Sequence, residues 1–333
     1  MNINYKLQQG FSLVELMIAT LVGLVLTYSI LQIYLAQTQL YKASNSQDLI
    51  QSTENAISNL LIPTIRSAGF AGCGSIITAL SSLNAGGPRP LGVLNTTPTI
   101  LMGYNGSGAS FTITQSNPAN STNASHWSPA LDSTLVGNAQ QGSDVLVVLG
   151  STSDSYPTGI TTIDPGSNTF VVQGTSGMSL TSGMFGAVSD CGKTVIFQIT
   201  GVAGTTITHD AGAGVLQNAS SAFPVNFQTG SQFIPIQQTA FFVGQGQGGQ
   251  SSLMRASLVG NNGVITRYVS ANAVTDWAQV YAIRLGFLIA GQLGSGSLTT
   301  RQYNVLDTQI TVPADNRLRH VFELTINLRN SIS

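Results

Sequence analysis

Charge is what this sequence has least of. Its 333 residues hold 12 Lys and Arg and 13 Asp and Glu, so 8% of the chain is charged, against roughly 25% in an ordinary globular chain. The net charge is −1. That leaves no basic surface for nucleic acid and no block of like charge that could act as a tail. Disorder through charge is excluded too, because 42% of the residues are hydrophobic. Glu is missing between Glu54 and Glu323. A surface this poor in charge but rich in Gly, Ser, Thr, Asn and Gln suits an extracytoplasmic, β-rich protein.

Metal and catalytic signatures are missing as well. The only cysteines, Cys73 and Cys191, lack zinc-ligand spacing with His126, His209 or His320. No D-x-D-x-D calcium loop occurs. His209 stands beside Asp210, but no G-x-S-x-G elbow supplies a nucleophile. Gly244 to Gly249 fits G-x-G-x-x-G, yet no acidic residue follows before Asp276, so a hairpin turn is expected there. The expectation is a non-catalytic protein with no metal, no cofactor, no small-molecule substrate and no nucleic acid partner. Asn-x-Ser/Thr triplets at Asn95, Asn105, Asn120, Asn123 and Asn218 point to exposed loops.

What is present is concentrated at the N-terminus. Residues 11–31 read FSLVELMIATLVGLVLTYSIL, long enough to span a bilayer as a helix. A short polar segment with Lys6 precedes them, and no A-x-A-like signal-peptidase site follows. On hydropathy alone this is a single-span anchor. From Phe11 to Tyr41 the only charged side chain is Glu15. A carboxylate there costs on the order of 2.5–3.5 kcal/mol on insertion scales, and the helix offers it no cation. A cut between Gly10 and Phe11 would create an α-amine four residues before Glu15 that could neutralise it, within the chain or on a neighbour.

The run G-F-S-L-V-E ahead of an apolar stretch resembles the type IV prepilin family. The resemblance implies a leader peptide at residues 1–10, cleavage after Gly10 by a prepilin peptidase, N-methylation of Phe11, and Glu15 as the assembly charge. The helix is expected to run well past the membrane. Tyr34, Leu40, Tyr41, Leu49, Ile50, Ile57, Leu60 and Leu61 recur at spacings of three, four and seven, as one helical face does. Pro63 is expected to kink or end the helix. A helix over about 11–67, with its transmembrane part at about 11–31, is ~84 Å long at 1.5 Å per residue. Gly23 is a weak spot within it, costing roughly 1 kcal/mol relative to Ala.

After Gly69 short apolar runs alternate with Gly, Ser, Asn and Pro. Strands are expected at Asp144–Leu149, Thr169–Gln173, Thr194–Thr200, Ala240–Val243, Val264–Val269, Gln279–Ile289 and His320–Leu328. The stretch 82–141 reads as an irregular insertion. A long helix followed by a β-rich head over 68–333 makes the fold class α+β.

Five further stretches, TIRSAGFAGCG (64–74), GSDVLVV (142–148), VSDCGKTVIFQIT (188–200), QSSLMR (250–255) and RLRHVFELTINLRN (317–330), resemble the PilW-type minor pilins. That resemblance, spread over nearly the whole chain, implies a subunit that helps initiate type IV pilus assembly near the filament tip. Its partners would be other minor pilins and the major pilin, met through the N-terminal helix. The chain would sit in the inner membrane with a periplasmic head before joining the pilus. A minor pseudopilin of type II secretion and a tip adhesin are the competing readings. In such a compartment two cysteines favour a disulfide. A Cys73–Cys191 bond would close a loop of roughly 117 residues, worth roughly 4–5 kcal/mol in the loop-entropy model; two free buried thiols are the alternative.

Overall fold

The computed structural model describes residues 12–85, 91, 94, 98–106, 110–113, 119–152, 155–214, 216–246, 249, 251–258 and 282–329. One long apolar N-terminal helix, a candidate membrane span, leads into a β-rich domain with several sheets, a mixed α+β architecture.

The helix runs from Leu13 to Arg66, 54 residues and thus ~81 Å. Pro63 lies inside it and does not stop it. Proline removes one donor, here the one owed to the carbonyl of Asn59, and Asn59 is exposed, where water can satisfy that oxygen. The helix ends three residues later, where the Ser67 N–H closes back onto the Pro63 carbonyl at 3.0 Å. The hydroxyls of Thr20, Thr27 and Ser29 bond back to the carbonyls of Met17, Gly23 and Val25 at 2.8–3.0 Å. These three hydroxyls are thereby satisfied within the helix, as an apolar surrounding demands.

The helix packs only with its second half. Ser46, Ile50, Ile57, Leu61 and Ile65 are buried, at spacings of four and seven that form one stripe. Tyr34, Leu40, Tyr41 and Leu49 were expected on the same face, but all four are exposed. For the first three the periodicity continues below Ser46, but among the described residues no strand lies there to cover it; Leu49, beside the buried Ile50, is turned outward.

The domain is organised around one strand, Gln232–Gln245. It pairs antiparallel with Val145–Ser151, Thr158–Ile163, Phe185–Ser189 and Ser251–Leu258. Its burial is continuous over twelve residues, because the sheet is covered on both faces and alternation is lost. Phe185–Ser189 continues antiparallel into Thr194–Gln198, and Leu101–Tyr104 joins the other side beside Val145–Ser151. A two-stranded antiparallel hairpin, Ala282–Leu293 with Arg317–Asn327, carries the face on which the helix lies. A small sheet of Arg301–Val305, Thr308–Val312 and Ser110–Thr112 sits beside it.

One apolar core joins the helix, the main sheet and the hairpin. A second cluster fills the distal part of the domain, built on Phe170, Phe197 and Phe233.

The expected strands at 144–149, 169–173, 194–200 and 320–328 coincide with observed ones to within three residues at each end. Ala240–Val243 is a fragment of a strand more than three times longer. The candidate at Val264–Val269 lies outside the described residues, as do Gln279 to Tyr281. The 82–141 stretch is, over its described residues, less irregular than its composition suggests. It supplies Leu101–Tyr104 to the main sheet and the buried Trp127, whose indole N–H donates to the Ser143 carbonyl at 2.8 Å. Asn218 was expected in an exposed loop and is fully buried. Its amide mimics a missing strand: Oδ1 accepts from the Gln198 N–H and Nδ2 donates to the Gln198 carbonyl, both at 2.7 Å.

Candidate functional site along the N-terminal helix

The first turn carries the only charge of the apolar stretch. Gly10 and Phe11 lie outside the described residues. Glu15 lies three residues inside the helix start, where its Oε2 accepts the backbone N–H of Ser12 at 3.1 Å. This is half of a capping box, one of the four donors that a helix start leaves unpaired. The positive end of the helix dipole acts in the same direction. The carboxylate's first partner is therefore a backbone amide and not a cation. The S-x-x-E spacing of Ser12 and Glu15 was the available signal.

From Leu13 to Leu35 each large apolar side chain is at least half exposed. The helix is long and apolar enough to cross a membrane there by length and composition. Sixteen large apolar groups in water are untenable for a soluble monomer; this surface needs lipid or other helices around it.

Full burial against the domain begins at Ser46. It is fully buried, and its hydroxyl accepts the N–H of Gln292 at 3.1 Å. Opposite stands Gly291, where a Cβ would come within 2.9 Å of the Ser46 Cβ. Two small residues let helix and strand backbones approach. Two turns on, His320 Nδ1 meets Glu54 Oε1 at 2.8 Å. Beyond them Ile50, Ile57, Leu61 and Ile65 join the core that Ile283, Leu285, Phe287 and Ile326 contribute to, each burial worth about 1.5–3 kcal/mol by transfer. At the helix end, the Gly69 N–H donates to the Leu149 carbonyl at 2.9 Å, which carries the chain onto the main sheet. Neither Ser46–Gln292 nor Glu54–His320 was anticipated. Partners separated by about 250 residues leave no local trace.

Cys73 and Cys191 are bonded, with Cα atoms 4.7 Å apart. Cys73 lies in the turn between Phe70–Ala71 and Gly74–Ser75, and its N–H donates to Gln232 Oε1 at 2.9 Å. Cys191 lies in the turn between Phe185–Ser189 and Thr194–Gln198, with φ of 68°. Beside it, Asp190 accepts from the Gly192 and Lys193 amides and pairs with the Lys193 ammonium. The Lys193 hydrogen bond, more than any other partner, holds the Asp190 carboxyl below its usual range. The bond thus ties the segment after the helix to two central strands. It is far along the chain from Glu15, and the structure brings the two into no common site.

His209 and Asp210 form no catalytic pair. The imidazole is buried and stacked on Phe223 with ring centres 4.0 Å apart, and neither ring nitrogen has a hydrogen-bond partner. Burial pushes its pKa down to about 4, against a weaker upward pull from Asp210. The Asp210 carboxylate instead accepts from Asn168 Nδ2 at 2.6 Å. Among the described residues no three His, Cys, Asp or Glu side chains are grouped as metal ligands. The strands flanking Gly244–Gly249 are antiparallel, with Gln245 opposite Ser251. That is hairpin geometry and not the strand–helix turn of a dinucleotide site.

Comparison with known proteins adds two matches at opposite ends of the chain. The family model of the prokaryotic N-terminal methylation motif matches residues 5–27, which include Gly10, Phe11, Glu15 and the start of the exposed apolar helix. The family model of type IV pilus-assembly protein W, PilW, matches residues 259–330, which include the hairpin on which the helix docks. No curated protein and no solved structure matches the chain. Both matches point to a structural protein. A processing motif on an unpartnered apolar helix, with a PilW segment holding the other half of that helix, fits a PilW-like type IV minor pilin.

Proposed function

We propose that this chain is a minor pilin that takes part in initiating type IV pilus assembly, within a complex of minor pilins at the filament tip, and that it is structural and not catalytic. A prepilin peptidase removes residues 1–10, and Phe11 becomes the methylated N-terminus. The exposed helix holds the subunit in the inner membrane with its head in the periplasm. The same helix then packs against other minor pilins and the major pilin. The observation that carries this reading is the division of one helix into an unpartnered apolar half and a half locked to the PilW-matched hairpin. The first half must exchange lipid for protein neighbours, while the second keeps the head fixed during the exchange. The PilW match favours a pilus over a secretion system.

The test is a strain lacking this chain, complemented with the wild type or with a head-only form starting at residue 46. Counting surface pili and recovering the other minor pilins with a tagged copy reads assembly directly. Piliation is expected to fall in the deletion, to return with the full chain and not with the head. Unchanged piliation and no recovery of other pilins would sink the proposal.

A further inference from the structure

Three of the chain's few cations meet at one place. Arg301, Arg317 and Arg319 line a cavity of about 130 Å³, together with Tyr303 and the Ser297 and Thr299 side chains. Among the described residues no carboxylate is in its wall. Arg319 is held bidentately by Asp315, at 2.8 and 2.6 Å. Arg317 reaches the same carboxylate only at 3.8 Å, and its buried Nε has no hydrogen-bond partner. Arg301 is exposed and makes no ion pair among the described residues. Among the described residues, three guanidiniums stand against the Asp315 carboxylate here, in a chain whose net charge is −1. The cavity admits a single oxyanion group, which guanidinium forks and hydroxyls are suited to hold.

Its place in the fold names the source of that oxyanion. The cavity lies at the end of the hairpin where Leu293 faces Arg317. There the adjoining Gln292 bonds to Ser46, and Lys42 Nζ lies 3.5 Å from the point where a Gly294 Cβ would be. This is the edge of the head from which the bare helix emerges. From Leu35, the last large side chain of the continuous apolar stretch, to Lys42 is ~10 Å of helix. The polar interface of one leaflet is about 5–8 Å deep. A head seated on the membrane therefore holds this edge at the outer border of the headgroup layer, a few ångströms beyond the interface and within the reach of an arginine side chain.

We propose that the cavity binds the phosphate of an anionic phospholipid headgroup and seats the head on the bilayer before assembly. This rests on the reading of the helix as a membrane anchor. Each arginine near an anionic surface is expected to strengthen the interaction about fivefold.

The experiment uses the full chain in nanodiscs of phosphatidylcholine, with and without phosphatidylglycerol, read by amide exchange of segments 294–303 and 313–319. Phosphatidylglycerol is expected to slow exchange there. Arg301→Gln and Arg317→Gln should each raise the phosphatidylglycerol needed by about fivefold. Arg284→Gln, which removes an equal charge from the exposed pair with Glu323, should not. Equal loss in all three variants would mean diffuse attraction and overturn the site. So would no effect of phosphatidylglycerol, or equal protection by inorganic phosphate in phosphatidylcholine discs, which would assign the cavity to a free anion. Protection only when other pilins are added would assign it to a protein carboxylate and overturn the lipid. Insertion into either disc reports the anchor separately, so a chain that inserts without a phosphatidylglycerol effect disproves the cavity's role alone.

Discussion

Ser46 and Gln292 are separated by 246 positions and joined by one hydrogen bond, N–H to hydroxyl at 3.1 Å. It marks the level at which a helix bare of protein contacts becomes part of a folded domain. Below it large apolar groups face outward; at it the side chain is fully buried. The close approach depends on Gly291 opposite. Gly291→Val should push the helix away from the hairpin and destabilise the head by about 1–3 kcal/mol through overpacking. Amide exchange over residues 46–61 should rise first, while the disulfide region changes little. Unaltered exchange there would show that the helix docks by its later isoleucines alone.

The Cys73–Cys191 bond closes a separation of 118 residues. Replacing both cysteines with Ala is expected to lower unfolding stability by about 2–5 kcal/mol, measured as a shift in urea midpoint in detergent. The hydrogen bond from the Cys73 amide to Gln232 needs no sulfur, so the native turn should survive below the transition. Reductant should shift the wild type and leave the double variant where it was.

His209 is expected to make the head sensitive to acid. Its folded pKa of about 4 lies below its ordinary 6.5 because a buried imidazole without partners resists protonation. The unfolded chain binds the proton more readily. Its contribution is therefore complete above pH 6.5 and is lost as pH falls from 6.5 toward 4, by roughly 3 kcal/mol in total. His209→Leu should flatten the stability profile in that interval. An unchanged slope in the variant would mean that other groups carry the acid sensitivity.

Glu15 is proposed to serve assembly and not folding. Glu15→Ala and Glu15→Gln should both leave the head folded, since the first turn is exposed and Glu15's hydrogen bond among the described residues is to Ser12 within that turn. Both should reduce recovery of other minor pilins and pilus number. In a desolvated setting, an α-amine left without its carboxylate is an uncompensated charge worth roughly 3–5 kcal/mol. The Ser12–Glu15 bond adds a distinction: Gln keeps an acceptor for the Ser12 N–H and Ala does not. If capping were the whole role, Gln would behave as wild type in co-purification and Ala would not. Failure of both points to the charge.

Much of the fold class was readable along the chain. The apolar run, the single carboxylate and the change after Gly69 to short β-branched segments are local features, and local sterics and hydropathy set them without reference to distant residues. The four strands recognised to within three residues at each end are all such runs. The disulfide, too, needed only an exported chain with two cysteines. What no local pattern could decide was where the helix stops being bare. The apolar spacing continues through Tyr34, Leu40 and Tyr41, yet burial begins at Ser46, because burial depends on whether a hairpin more than 230 residues away reaches that level. For the same reason Asn218 is a buried strand mimic and not a loop residue. Arg301 joins Arg317 and Arg319 in one cavity because strand register, and not sequence spacing, places them side by side. Sequence alone settled which segments must avoid water; the tertiary structure settled which of them find a partner within the chain and which are left for membrane or filament.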